Sequence, residues 1–189
     1  GHPGIITLNP GGPTAAGRRS LQVGQATVAG GWILSTTGLA NTIEIEWLIR
    51  LRGSIAAADM EMVQLGLVDP SDATANGLVQ NGICVQFNPT VSNKFRASAT
   101  AAGVQTVADG TTVVALNTWY RVAIVYTDTG APGGSLQLKV NGVNEGAPVT
   151  GLVFPAVSLG LFAKIDGQGS GVDSQLDLDR VRVFHTQQE

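Results

Sequence analysis

Residues 41–51 read NTIEIEWLIRL, in which apolar and polar side chains alternate. Because successive side chains of a β-strand point to opposite faces, this period of two predicts a strand with one apolar and one polar face. The apolar face comprises Ile43, Ile45, Trp47, Ile49 and Leu51, and the polar face carries Glu44, Glu46 and Arg50.

The same alternation recurs along most of the chain, in runs bounded by Gly, Asn, Asp and Pro. Residues 119–127 are apolar on both faces for the most part, which predicts a strand in the middle of a sheet covered on both sides. Residues 136–140 end in Asn141-Gly142, the pair that favours a tight hairpin turn. Further strands are predicted at 21–28, 32–34, 62–68, 83–87, 95–100, 112–116, 157–165 and 175–184.

Ten or more strands without crossover helices indicate an all-β fold, a two-sheet antiparallel β-sandwich. Asp109-Gly110 predicts a turn between the strands at 95–100 and 112–116. The Ala-rich stretch 55–62 is compatible with a helix but short, and is expected to cap a turn between strands. No repeat of fixed period indicates a propeller or a solenoid.

Composition excludes several classes of protein. Lys and Arg total 11 against 14 Asp and Glu, so the net charge is -3 and no basic stripe is available for contacts with nucleic-acid phosphates. A hydrophobic share of 43% is too high for a disordered chain. No apolar run approaches the ~20 residues of a membrane span. Cys84 is the single cysteine, so no intrachain disulfide is expected, and its place in a strand pattern predicts an inert thiol.

The chain is expected to contain one domain after an arm. Residues 1–19 are rich in Gly and Pro, which predicts an extended arm or linker. Residues 20–189 are predicted to form the β-sandwich domain. We expect the whole to be a piece of a larger protein.

Four segments resemble the strands of laminin-G-like and related concanavalin A-like jelly rolls. Residues 41–51 resemble an early strand, and NTWYRVAIVYTDTG at 117–130 is similar to the central strand. SLQLKVNGV at 135–143 resembles the following hairpin, and LDLDRVRVF at 176–184 the closing strand. The resemblance implies a jelly roll, a fold that hosts lectins, hydrolases, lyases and adhesive spacers.

The abundance of Ala, Gly, Thr, Val and Asn, with few charges, also resembles phage virion domains of this fold. Those domains lie on tail fibres, baseplates or capsid surfaces. This compositional resemblance implies a viral structural protein, located on a virion or an extracellular surface.

Glu44 and Glu46 are candidate catalytic carboxylates, since residues two apart on a strand share a face with backbones ~6.6 Å apart. Glycoside hydrolases use two carboxylates separated by about 5–5.5 Å or 6.5–9.5 Å. Hydrolases of the resembled superfamily carry a strand of the type Glu-x-Asp-x-Glu, whereas Leu48 and Ile49 follow here. A solvated polar face is therefore the preferred interpretation, with a glycoside hydrolase using Glu44 and Glu46 as the alternative.

Two acidic stretches supply the oxygen ligands that calcium prefers. Turn chemistry at Pro70 and Gly77 explains the first stretch by itself and is the preferred interpretation, since the spacing matches no EF-hand loop. Calcium is the one cofactor that the sequence suggests. The first stretch contains Asp69, Asp72 and Asn76, and the second contains Asp166, Asp173, Asp177 and Asp179.

Trp32 and Tyr126 are the candidate ligand-binding aromatics, because sugar sites commonly stack an exposed aromatic ring on a pyranose. Trp47 and Trp119 fit core positions better. His2 and His185 lie at opposite ends of the sequence, which argues against histidine-based catalysis or metal binding.

These observations favour a non-enzymatic recognition or structural domain of a larger assembly, with carbohydrate binding or adhesion as its role. Its expected partner is a glycan or a protein surface. A homo-oligomer is expected because edge strands of low charge would otherwise be open to pairing. A calcium-dependent adhesion domain is a third interpretation.

Overall fold

Two antiparallel sheets form a β-sandwich in the computed structural model, which describes residues 4–10, 18–23, 32–33, 41–69, 81–128, 133–154, 158–167 and 173–187. This confirms the predicted fold class. Thirteen strands and no helix occur within these ranges. In chain order the strands are β1 (Ile6–Leu8), β2 (Arg18–Val23), β3 (Trp32–Ile33), β4 (Asn41–Arg52), β5 (Met60–Val68), β6 (Gly82–Phe87), β7 (Lys94–Ala101), β8 (Val104–Val113), β9 (Trp119–Asp128), β10 (Gly134–Val140), β11 (Val143–Leu152), β12 (Ser158–Gly167) and β13 (Gln175–Gln187).

The six-stranded sheet has the order β1-β13-β4-β9-β10-β11. The seven-stranded sheet has the order β2-β12-β5-β6-β7-β8, and β3 pairs with β12 as well. Neighbours in both sheets run antiparallel. Among the described elements there is no helix capable of crossing a membrane.

The core lies between the sheets and uses the apolar faces that the alternation predicts. In β4, the side chains of Ile45, Ile49 and Leu51 are fully buried. They share one hydrophobic cluster with Leu65 of β5 and Phe95 of β7, in the opposite sheet. The predicted face of 41–51 is therefore confirmed.

The prediction for β9 is correct on one point and wrong on another. The strand lies in the interior of its sheet, between β4 and β10, and Val122 and Ile124 are buried in the core. Its second face is only partly covered, since Arg121 is exposed and Trp119 is half-buried. Several cross-strand neighbours on that face are charged, such as Arg50 opposite Trp119 and Glu46 opposite Ala123.

The hairpin at Asn141-Gly142 is confirmed. Both residues adopt positive φ angles, 53° and 84°, as the favoured two-residue turn between antiparallel strands requires. The Asn141 side-chain oxygen accepts a hydrogen bond from the backbone N–H of Arg121 at 3.0 Å, which ties the turn to β9.

The turn predicted at Asp109-Gly110 is wrong, and so is a separate strand at 112–116. β8 runs from Val104 through both residues to Val113, and bulges where Lys94 pairs with Val113 while Arg96 pairs with Asp109. Gly110 serves packing, because a Cβ there would lie 2.8 Å from Leu138 Cδ2. The chain reverses instead at Ala102-Gly103, both at positive φ.

Residues 55–62 form no helix. The N–H groups of Asp59 and Met60 both donate to the Ala56 carbonyl, which makes a single turn, and β5 begins at Met60. In the segment predicted as an arm, Ile6–Leu8 forms β1, which pairs with β13.

Candidate functional site

A hollow opens on the outer face of the six-stranded sheet, the face directed away from the core. Its volume is about 220 Å³. Leu48 and Arg50 come from β4, and Trp119 from the start of β9. The residues that line this hollow are Ile5, Leu48, Arg50, Trp119 and Asp179.

Trp119 and Arg50 form one wall of the hollow. They are direct cross-strand partners, and the guanidinium carbon of Arg50 lies 4.7 Å from the centre of the Trp119 ring. A cation over an indole face at this distance is an attractive contact. The prediction that Trp119 belongs to the core is therefore wrong, because its strand face meets charged neighbours.

The guanidinium of Arg50 is held in place by Asp177 of β13, whose side chain is completely buried. Arg50 donates from Nε and Nη2 to Oδ2 of this carboxylate at 3.0 and 2.7 Å. Arg52 donates from Nε at 2.6 Å and from Nη2 at 2.9 Å. The Thr7 hydroxyl adds a further hydrogen bond of 2.7 Å. The three donors anchor the charged wall of the hollow.

Burial and hydrogen bonding have opposite effects on the pKa of Asp177. Burial by itself raises the pKa of a carboxyl, because it removes water from the charged form. Hydrogen bonds from Arg52, Thr7 and Arg50 outweigh burial and lower the pKa of Asp177 to about 2. The hydrogen bonding between Arg52 and Asp177 also raises the pKa of Arg52. The cluster is therefore fully charged at neutral pH.

The hollow combines an apolar ring with a fixed cation. Arg50 directs Nε and Nη2 at Asp177, and within the described chain its Nη1 group makes no hydrogen bond. The Arg50 side chain is 28% exposed and lines the hollow. Indole surface and guanidinium donors together match a molecule with an apolar face and several hydroxyl groups.

Glu44 and Glu46 lie on the same outer face, each beside its own cation. Lys139 Nζ is 3.0 Å from Glu44. Arg121 and Arg180 lie 3.5 and 3.8 Å from Glu46. Neither carboxylate lines the hollow. Their arrangement is that of ion pairs across a partly exposed sheet.

A second set of polar side chains crosses the outer face of the seven-stranded sheet. We call Lys164, Gln64, Gln86 and Arg96 the polar row, because each pairs with the next on the neighbouring strand. Lys164 forms an ion pair of 2.7 Å with Asp166, and both side chains are buried.

The two glutamines of the polar row are buried and incompletely paired. Gln64 is fully buried, and neither its amide nitrogen nor its amide oxygen has a partner. Gln86 directs Nε2 at the sulfur of Met62 at 2.9 Å, while its oxygen has none. Unpaired buried amides are costly, so this row differs in kind from the hollow.

Cys84 lies beside the polar row, on β6 opposite Ser98 of β7. Burial raises the pKa of its thiol to about 12, and Ser98 and Lys164 only partly offset that effect. A thiol with so little thiolate at neutral pH does not act as a nucleophile, in line with the expected inert role.

Of the two predicted ligand-binding aromatics, the side chain of Trp32 lies outside the described part of the structure, and Tyr126 is not at the hollow. Tyr126 lies instead in the core, 3% exposed, with its ring edge-to-face against Phe154 at 5.6 Å. Burial, and secondarily Asp128, raises the pKa of Tyr126 to about 12. The backbone of Trp32 belongs to β3 and pairs with Leu159.

The candidate calcium ligands are only partly within the described ranges. Asp69 directly follows β5, and its backbone N–H donates to the Asn81 carbonyl at 2.9 Å. Asp72 and Asn76 lie outside the described ranges, as does His2, which was not a calcium candidate. Among described side chains, no three His, Cys, Asp or Glu residues gather as a metal site. The second acidic stretch is thus separated: Asp166 pairs with Lys164, and Asp177 with two arginines.

Comparison with known proteins identifies the fold. No protein-family model matches the chain, and no curated protein matches its sequence. Among solved structures, the Emp47p carbohydrate recognition domain is similar with a TM-score of 0.61 at 11% identity, covering 95% of this chain and 87% of that one.

Two polysaccharide lyases are similar as well. Alginate lyase A1-II′, a member of polysaccharide lyase family 7, gives a TM-score of 0.57 at 14% identity, covering 96% of this chain and 79% of that chain. The endo-β-1,4-glucuronan lyase of Trichoderma reesei gives 0.51 at 10% identity, covering 95% and 79%. The sandwich described above accordingly has the jelly-roll fold of these three proteins, as the sequence predicted.

Proposed function

We propose that this chain is a non-enzymatic carbohydrate-recognition domain of a larger assembly, and that the hollow is its sugar-binding site. The hollow carries this proposal, because it places an indole ring beside an oriented guanidinium on an accessible sheet face. The composition supports a phage virion component as the parent assembly.

The size of the hollow indicates what it would hold. At about 220 Å³ it is smaller than the roughly 300–1,000 Å³ of pockets for drug-sized ligands. A single sugar ring, such as the end of a glycan chain, suits this volume better than an extended polysaccharide. Asp177 fixes Arg50 before any ligand arrives, which reduces the entropy lost on binding.

The similar structures support carbohydrate as the ligand class without deciding between binding and cleavage, since Emp47p contributes a recognition domain and the other two proteins are lyases. We favour binding because Glu44 and Glu46, the carboxylates of the hydrolase alternative, are held in ion pairs with Lys139, Arg121 and Arg180.

A glycan array with the complete chain, followed by calorimetry on any hit, tests the proposal. We expect Trp119→Ala to weaken binding at least about tenfold, because the ring supplies the apolar contact. Phe184→Ala is the matched control: Phe184 is an aromatic on the same sheet, 50% exposed, and does not line the hollow. Binding that survives Trp119→Ala unchanged, or no binding to any glycan, would refute the proposal.

The enzyme alternative has its own test. Polysaccharide cleavage is measured for the unaltered chain and for Glu46→Gln. We expect no cleavage by either. Activity in the unaltered chain that disappears in Glu46→Gln would establish the hydrolase instead.

A further inference from the structure

The lining of the hollow combines an apolar surface with one hydrogen-bond donor and one acceptor. Among the described side chains that line it, Ile5, Leu48 and Trp119 are apolar, and Arg50 and Asp179 are charged. A guanidinium group only donates hydrogen bonds, and a carboxylate only accepts them. A ligand that fills the hollow therefore meets three kinds of surface: apolar, donating and accepting.

Asp179 reaches the hollow from a β-bulge in β13. In the ladder with β4, Leu178 pairs with Ile49, and Arg180 pairs with Leu48. The register shifts between these two pairs, so Asp179 is the extra residue of the bulge. Bulges are common next to active sites, where they redirect a side chain. The bulge thus marks Asp179 as a residue placed for contact with a ligand.

Both polar side chains have hydrogen-bonding capacity for a ligand. Arg50 directs Nε and Nη2 at Asp177, so we assign the Nη1 donors to the ligand. Asp179 also interacts within the protein, but a carboxylate has about four positions that accept hydrogen bonds. It can accept one from a ligand in addition to its contacts in the protein.

The charges beside the hollow favour a neutral ligand. Arg50 and Arg52 share the carboxylate of Asp177, which leaves one positive charge in excess. The carboxylate of Asp179 balances that charge. An acidic sugar would bring its own carboxylate next to Asp179, and like charges in contact oppose binding.

The apolar part of the lining restricts which group of a sugar enters. A plain hexose carries hydroxyl groups around most of its ring, and a hydroxyl held against apolar side chains without a hydrogen-bond partner is costly. The acetamido group of an amino sugar ends in a methyl, and beside the methyl it has one carbonyl acceptor and one N–H donor. These three parts match the three kinds of surface in the hollow, and the group is neutral.

We propose that the hollow binds the N-acetyl group of an amino sugar. The methyl packs against Ile5, Leu48 and Trp119, while the sugar hydroxyls remain at the mouth of the hollow in contact with water. The carbonyl oxygen accepts from Arg50, and the amide N–H donates to Asp179. This inference rests on the proposed function, to which it adds the class of sugar and Asp179 as the residue that determines specificity.

Two pairs of methyl glycosides test the class of sugar. Glucose is compared with N-acetylglucosamine, and galactose with N-acetylgalactosamine, so that each pair differs only in an acetamido group in place of a hydroxyl. Affinities are measured by NMR titration of the complete chain, following the indole N–H signals of its three tryptophans. Trp119→Phe identifies the signal of the hollow. We expect at least one N-acetyl sugar to bind about tenfold more tightly than its plain partner and to shift the Trp119 signal.

The outcomes separate this inference from the proposed function. Equal affinities within both pairs, or tighter binding of methyl glucuronide than of either N-acetyl sugar, would overturn the N-acetyl assignment and leave sugar binding at the hollow intact. Binding of none of these glycosides, together with an empty glycan array, would refute the proposed function and this inference with it.

Variants of Asp179 test the residue. Asp179→Leu removes the acceptor and keeps a side chain of similar size, so affinity for the N-acetyl sugar should fall about tenfold while affinity for the plain hexose stays the same. Asp179→Asn keeps one acceptor oxygen and should lose only a few-fold. Asp173→Leu, at an exposed aspartate that does not line the hollow, is the matched control and should change neither affinity.

Thermal unfolding of each variant confirms that it is folded before its affinities are compared. A preference for the N-acetyl sugar that survives Asp179→Leu, or an equal loss of affinity for both members of a pair, would overturn the proposal. If Asp179→Leu does not fold, Asp179→Asn decides in its place: an unchanged preference for the N-acetyl sugar in that variant contradicts the role of Asp179.

Discussion

The outer faces of the two sheets differ in how completely their polar side chains are paired. On the six-stranded sheet, the carboxylates of Glu44, Glu46 and Asp177 each have a cationic partner, as Glu44 has in Lys139. On the seven-stranded sheet, Gln64 and Gln86 are buried and have amide atoms without any partner. The first face carries a hollow that a ligand could enter from solvent.

Paired and unpaired buried polar side chains have opposite effects on stability. A paired charge such as Asp177 stabilises its neighbours and holds Arg50 ready beside Trp119. An unpaired buried amide such as Gln64 lowers stability, because it has given up water and received no hydrogen bond in return. The mutational effects expected at Asp177 and at Gln64 therefore have opposite signs.

The largest effect is expected for Asp177→Asn. This change removes the charge that two arginines share and leaves them without a counter-ion. We expect the free energy of unfolding to fall by about 3 kcal/mol, the lower end for a broken buried pair, since Arg50 and Arg52 are partly exposed. Urea denaturation measures the loss.

Asp109→Asn is the matched control for this change. Its ion pair with Arg96 has the same 2.6 Å separation as the Arg52–Asp177 pair, but the Asp109 side chain is 57% exposed. Solvent screens such a pair, so the loss should stay below about 1 kcal/mol. Equal losses for the two variants would mean that burial of Asp177 does not matter.

Low pH should reduce the free energy of unfolding by protonating the same carboxylate, that of Asp177. The pKa of Asp177 is lowered from 3.8 to about 2, so the folded state binds its proton less readily than the unfolded state. The resulting stabilisation, about 2 kcal/mol, is present above pH 4 and is lost as the pH falls toward 2.

Unfolding measured at pH 5 and at pH 2 isolates this contribution when Asp177→Asn is run in parallel. The unaltered chain should lose about 2 kcal/mol more than the variant over this interval. Identical losses would contradict the low pKa of Asp177.

The contrast between the faces also marks the limit of sequence reasoning. The alternation in 41–51 predicted the two faces of a strand, and the pair Asn141-Gly142 predicted a hairpin. Both features depend on neighbours along the chain. The turn predicted at Asp109-Gly110 was wrong because Gly110 is required by a tertiary contact, the close approach of Leu138. Local turn chemistry cannot detect a packing requirement from another sheet.

The hollow was missed for a related reason. Trp119 reads as a core residue while its cross-strand partner is unknown, and only the register places Arg50 opposite it. The bond between Asp177 and Arg50 joins residues 127 positions apart in sequence. The sequence does contain an acid on the closing strand, Asp177, and the arginines Arg50 and Arg52 on β4. The strand order is needed to show that these strands are neighbours.

The smallest effect, and the most informative sign, is expected for Gln64→Leu. Leucine has nearly the volume of glutamine and needs no hydrogen bond, so the variant should be more stable by about 1 kcal/mol. Ser98→Ala on the same face is the control: Ser98 is also buried, but it accepts a hydrogen bond of 2.8 Å from Gln105. Losing that bond should cost about 1 kcal/mol.

Thermal and urea unfolding of both variants, in the same buffer, compare these signs directly. If Gln64→Leu instead destabilises the chain as Ser98→Ala does, then the Gln64 amide has a hydrogen-bond partner in solution. A bound water or polar ligand would supply it, because such groups satisfy buried amides that protein atoms leave unpaired. The destabilisation assigned above to an unpaired Gln64 amide would then be wrong.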